Sequence, residues 1–166
     1  MIMNNENKDL FYLHDLSDYK VAENYPDVRN WEVQDVDYRK IGTVDALLVS
    51  KSAERVVYLD VEVDKTVIEE GHEAYGKPTA EGVHEFLNKD GDDHLIIPIG
   101  LVKLDEKNKI VHASQINYST FVKTSRYSKG NDISRDYELG VYKNYVPDYD
   151  DTNNGDDFYR RDAFKI

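Results

Sequence analysis

Ile41-Gly42-Thr43-Val44-Asp45-Ala46-Leu47-Leu48-Val49-Ser50-Lys51-Ser52-Ala53-Glu54-Arg55-Val56-Val57-Tyr58-Leu59-Asp60-Val61-Glu62-Val63 is the densest run of strand-forming residues in the chain, and a short polar connection lies in its middle. It reads as a long β-hairpin on which the fold is built. The second arm alternates, with Val57, Leu59, Val61 and Val63 on one face and Tyr58, Asp60 and Glu62 on the other. That period of two is the mark of a half-buried strand.

Working outward, Trp31 to Val36 alternates in the same way after the turn-rich Asn24-Tyr25-Pro26-Asp27. Strands are therefore expected at 31–36, 42–50 and 55–63, joined as a meander. The strand pattern lapses between residues 64 and 93, where Gly71, Gly76, Pro78 and Gly82 interrupt it. A connection of that length is either a structured excursion or a functional loop. Strand character returns at His94-Leu95-Ile96-Ile97-Pro98-Ile99, with Pro98 restricted to an edge or a strand end because it has no N–H for a ladder. Val102 to Asp105 and Lys109 to Ala113 flank a hairpin turn at Glu106-Lys107-Asn108. Beyond them, Ser119 to Val122 suggests one helical turn, and Asp132 to Tyr145 is the best helix candidate. Asp132 or Ser134 can cap that helix, Ile133, Tyr137, Val141 and Tyr145 form its stripe, and Pro147 stops it. The Asp- and Asn-rich segment 148–166 is expected to be a flexible acidic tail in which Phe158, Tyr159 and Phe164 are the residues able to dock.

At 166 residues and 19.3 kDa, the chain suits one domain with extensions. It has no cysteine, which excludes thiol nucleophiles, Cys-ligated zinc and iron–sulfur clusters. Its first nine residues lack the basic start and apolar core of a secretory signal, and no later run approaches the roughly 20 apolar residues that span a bilayer. A cytoplasmic protein without membrane insertion is the expectation. The net charge of -12 argues against sequence-independent binding to nucleic acid, whose phosphates would meet like charge.

Trp31-Glu32-Val33, then Lys40 to Val49, then Arg55 to Val61, and last Leu95-Ile96-Ile97-Pro98 succeed one another in an order and spacing that resembles the PRC-barrel family. That family includes the barrel domain of the photosynthetic reaction-centre H subunit and the C-terminal half of the ribosome-maturation factor. The resemblance covers roughly residues 16–116 and implies a mainly β fold: a small, largely antiparallel β-barrel with a short helical C-terminal extension. On this reading residues 1–15 are an N-terminal extension, 16–116 the barrel with 64–93 as an inserted loop, 117–147 a helical extension and 148–166 the tail. The family's domains are similar to one another as adaptor or assembly modules. A non-enzymatic protein-binding or assembly module without a cofactor is what the resemblance implies; self-association as a homodimer, through an exposed barrel face or the Tyr-rich C-terminal helix, is expected because open barrel edges favour pairing and homodimers are the commonest oligomers. Gly42 suits a strand start where close backbone approach or positive φ is required, and Asp45 can satisfy a nearby backbone donor.

Candidate chemistry is sparse. His72-Glu73 and His84-Glu85 repeat a His-Glu pair inside the loop, and Asp92-Asp93-His94 follows, so an N/O site for zinc, nickel or manganese built on His72, His84 and His94 is the alternative to a site-free module. The spacing weighs against it: Gly76, Pro78 and Gly82 separate the two pairs, which gives neither the i, i+4 face of a helix nor the i, i+2 face of a strand. Exposed loop residues are the simpler reading. Asp60 and Glu62 share one strand face, with Asp64 continuing it, and such a face is usually solvated. Asp60, Glu62 and His94 are the residues to which an enzyme reading would turn. The chain contains no Gly-x-Ser-x-Gly, no phosphate loop and no His-Glu-x-x-His. Many of the 13 tyrosines fall late, and Tyr137, Tyr142 and Tyr145 on the long helix are the candidate partner surface, against the simpler reading that the helix packs them on the β-region.

Overall fold

The structure is a computed structural model that describes residues 9–16, 26–67, 93–127, 133–146, 159 and 164. Among the described residues seven strands form one mixed sheet: β1 (Leu10–Tyr12), β2 (Glu32–Gln34), β3 (Lys40–Ser50), β4 (Arg55–Val63), β5 (His94–Pro98), β6 (Lys103–Asp105) and β7 (Ile110–His112). Two helices follow, α1 (Tyr118–Lys123) and α2 (Arg135–Tyr145). The strand order is β5-β4-β3-β2-β7-β6, with β1 also paired to β3. Every pairing is antiparallel except β2 with β7. No helix among the described residues is long and apolar enough to cross a membrane.

The expected hairpin is the centre of this sheet. Its arms pair from Gly42 with Val63 to Ser50 with Arg55, and β1, β2 and β5 are added to its outer sides. Gly42 takes its place by close approach: a Cβ built there would lie 2.1 Å from the Glu62 carbonyl oxygen. Pro98 ends β5, the edge strand, as its missing N–H requires.

The mainly β class therefore holds, but the sheet does not close. A barrel needs its two edge strands to pair, and here β5 and β6 end the sheet on opposite sides. The outer side of β5 is occupied instead. Tyr127 bridges His94 through two backbone hydrogen bonds of 3.0 and 2.8 Å, and the Tyr145 hydroxyl donates to the Ile96 carbonyl at 2.9 Å.

The second correction concerns β4. Val57, Leu59, Val61 and Val63 are buried as the alternation requires, yet Tyr58 and Asp60 on the opposite face are buried as well, and only Glu62 stays exposed. The cause is α2. Ser134 caps it by accepting from the Tyr137 N–H at 3.1 Å, and Glu138, Val141, Tyr142 and Tyr145 are its buried side. That side is laid over the sheet, so the apolar cluster runs continuously from the strands into both helices. Tyr159 and Phe164 join it. Phe164 is fully buried, with ring centroids 5.3 Å from Tyr58, 5.8 Å from Tyr142 and 5.2 Å from Tyr159. At these two positions the expected flexible tail is docked; the rest of 148–166, like the loop residues 68–92, lies outside the described residues.

Glu138 fastens this cover. Its Oε1 accepts from the hydroxyls of Tyr58, at 2.8 Å, and Tyr159, while Arg135 Nε donates to Oε2 at 3.3 Å. Burial pushes the Glu138 acid up, and the Tyr159 hydrogen bond, the Arg135 charge and the Tyr58 hydrogen bond offset only part of that. A carboxyl whose folded pKa is raised binds its proton more tightly in the fold, so its contribution is complete below the unfolded value of about 4.3 and is lost as pH rises through the folded one. Glu138→Gln keeps an acceptor for both hydroxyls and cannot ionise. Urea unfolding should therefore show the variant gaining stability relative to the parent as pH rises from about 4 to 7, with the difference flat below about 4.

Candidate metal centre

The register of three strands assembles a polar group on the face that α2 covers. Asp60 pairs with Ile96 and Glu62 with His94, so Asp60 and Glu62 lie two apart on one face of β4 and His94 stands opposite Glu62 and diagonal to Asp60. On the other side of β4 the ladder slips. Val44 pairs with Val61 and Ala46 with Asp60, which leaves Asp45 as the extra residue of a β-bulge. Bulges re-aim side chains, and the Asp45 carboxylate comes within 4.8 Å of ligand atoms of both Asp60 and His94.

Asp60 is completely buried, and its Oδ1 is engaged twice. His94 Nδ1 lies 2.9 Å from it, and the Tyr127 hydroxyl donates to the same oxygen. Asp60 Oδ2 is buried and has no hydrogen-bond partner among the described residues. A carboxylate only accepts, so Nδ1 carries the proton of this hydrogen bond, and in the neutral ring the lone pair is on Nε2. Nε2 makes no hydrogen bond among the described residues and faces Asp93 Oδ1 at 3.7 Å. Glu62, Asp93 and His94 offer ligand atoms that all lie within 4.8 Å of one another. Two carboxylates on the solvent side thus meet an imidazole that is only 2% exposed and held from behind by a third.

The surroundings fix this arrangement. Tyr127 is tied to His94 through its backbone, its ring meets Tyr137 of α2 edge-on at 5.5 Å, and the Tyr137 hydroxyl donates to the Ser125 carbonyl at 2.6 Å. Asp93 is anchored where its carbonyl accepts from the Val63 N–H at 2.7 Å. Burial alone would lower the His94 pKa, but the Asp60 hydrogen bond and the charges of Asp60, Asp93 and Asp45 outweigh it and the net shift is upward. Burial, followed by the Asp60 charge, raises the Tyr127 phenol far above its ordinary range, so it remains a donor.

Of the residues singled out from the sequence, His94, Asp60 and Glu62 are brought together, while His72 and His84 lie outside the described residues. Tyr142 and Tyr145 are buried, and Tyr137 is half-buried against Tyr127, so the aromatic stripe is spent largely inside the protein. Sequence reasoning missed Asp45 as a member of the group. The signal was an acid interrupting the apolar run Val44 to Val49, which a bulge explains. Tyr127 carried no local signal, because it reaches Asp60 from 67 residues away. No protein-family model matches the chain, and no curated protein matches it either.

Proposed function

We propose that the chain is a non-enzymatic binding module of the PRC-barrel kind, which takes a cationic ligand where Glu62, Asp93 and His94 meet. The resemblance supports the architecture, through the meander of β2, β3 and β4 with β5 added after the long connection. One observation carries the ligand reading: buried Asp60 holds the His94 ring, Nε2 faces Asp93 Oδ1 at 3.7 Å, and His94, Asp93 and the exposed Glu62 offer ligand atoms within 4.8 Å of one another. A group of lone pairs and negative charge attracts a cation. A purely structural Asp-His pair, the simpler account, predicts no response to any ligand.

Thermal unfolding of the full chain with Mg2+, Mn2+, Zn2+ and spermidine separates the two. A ligand at 100 times its Kd adds about 2.7 kcal/mol, which for a domain of this size raises the melting temperature by about 5–10 °C. The shift should vanish in Glu62→Gln/Asp93→Asn. No shift with any of the four, or a shift untouched by the double substitution, overturns the reading. Self-association is part of the same proposal, and β6, which ends the strand order among the described residues, is the edge on which it would pair. Sedimentation as a monomer at high concentration would count against that part.

A further inference from the structure

We infer that the ligand is a first-row transition-metal dication of the Mn2+ to Zn2+ series, bound by His94 Nε2 with the carboxylates of Asp93 and Glu62, while Asp60 orients the imidazole from behind. This rests on the cation-binding reading above and names the class of cation.

Three observations favour a metal over an organic cation. First, the donor set is one imidazole nitrogen and two carboxylate oxygens. Mg2+ and Ca2+ take oxygen ligands, soft Cu(I) takes sulfur, and the mixed N/O set suits the borderline dications between them. Second, the Asp60 to His94 hydrogen bond reproduces the arrangement by which metal-binding histidines are held: the far ring nitrogen donates to a carboxylate, which sets the tautomer and raises the basicity of the near one. An ammonium ligand gains nothing from that support. Third, Nε2 of the His94 side chain faces Asp93 Oδ1 at 3.7 Å, beyond hydrogen-bond distance and close to the separation of two ligands on one metal.

The spacing is within reach. Ligand atoms around a tetrahedral metal with bonds near 2.0–2.1 Å stand about 3.3–3.4 Å apart. His94 Nε2 and Asp93 Oδ1 are already 3.7 Å apart, and the widest separation in the set, within 4.8 Å, closes by rotation of the exposed Glu62 and half-exposed Asp93 side chains. Asp45, Asp60 and His94 form a competing inner set. It is disfavoured because Asp60 Oδ1 and His94 Nδ1 are bonded to each other and Tyr127 also holds that oxygen, so a metal bound there has to break this network.

The test is calorimetric titration of the untagged, chelator-treated full chain with Zn2+, Co2+, Mn2+, Mg2+ and spermidine. One equivalent of Zn2+ or Co2+ should bind, with Mg2+ and spermidine at least about 100-fold weaker. Glu62→Gln or Asp93→Asn should weaken binding at least about 10-fold, and Asp60→Asn about 10- to 100-fold. The Co2+ complex should show ligand-field bands that shift in Asp60→Asn, a change that lost packing alone would not produce. Asp45→Asn and His72→Gln/His84→Gln should bind as the parent does. Spermidine binding without any transition metal would overturn this inference and leave the cation reading standing, whereas no binding at all removes both. Binding lost in Asp45→Asn but kept in Glu62→Gln would place the metal in the inner set, and binding lost in His72→Gln/His84→Gln would place it in the loop; either result overturns the assignment.

Discussion

Phe164→Ala is expected to destabilise the protein by about 3–5 kcal/mol, the usual cost of removing a fully buried phenylalanine. The ring is 0% exposed and is enclosed by Tyr58, Tyr142 and Tyr159. Removing it leaves a cavity between β4 and α2 and weakens the seat of Tyr159, whose hydroxyl bonds Glu138 and whose carbonyl accepts from Arg55. Chemical denaturation of parent and variant measures the effect. A loss under about 1 kcal/mol, the size expected of a surface change, would show that this segment contributes little to the core.

Gly42→Ala has the second large effect, with an expected loss of about 3 kcal/mol, at the upper end of the overpacking range. The new methyl group would stand 2.1 Å from the Glu62 carbonyl oxygen, 3.0 Å from its carbon and 3.1 Å from Val61 Cγ1. Two of these are backbone atoms, so no side-chain rotation relieves the clash. The strands have to part where Gly42 pairs with Val63 on one side and Val33 on the other. Because Glu62 is displaced directly, the variant should also lose cation affinity, readable in the same titration. Parent-like stability would disprove the close approach.

Gly42 as a special backbone position was legible in the sequence, and so were the hairpin around it, Pro98 as an edge or strand-end residue, and a cap of α2 at Asp132 or Ser134, of which the structure uses Ser134. Each depends on local rules: period, turn residues and side chains that bond their own backbone. What lay beyond reach depends on distant partners. Alternation along β4 divides its residues between two faces but cannot say that a helix 80 positions later will cover the second one, so Asp60 read as solvated and proved buried. The same limit hid the open sheet, because closure is decided by what else claims the edge of β5, here Tyr127 and Tyr145. The candidate site was half legible. Asp60, Glu62 and His94 stood out by type, whereas Asp45 entered through a bulge that shifts register without altering the strand pattern.

The long span between β4 and its cover also has a consequence in time. Arg55 and Tyr159 are 104 positions apart, and translation at about 5–20 residues per second separates their synthesis by about 5–20 s. A hairpin formed from local contacts is ready in microseconds. For those seconds the face bearing Tyr58 and Asp60 stands open on the nascent chain, next to the aggregation-prone valines and leucines of β3 and β4. The Asp60 charge then keeps that face wet and unattractive to neighbouring chains, as a gatekeeper residue does. The same carboxylate that later orients His94 thus protects the hairpin before α2 and Phe164 arrive to bury it.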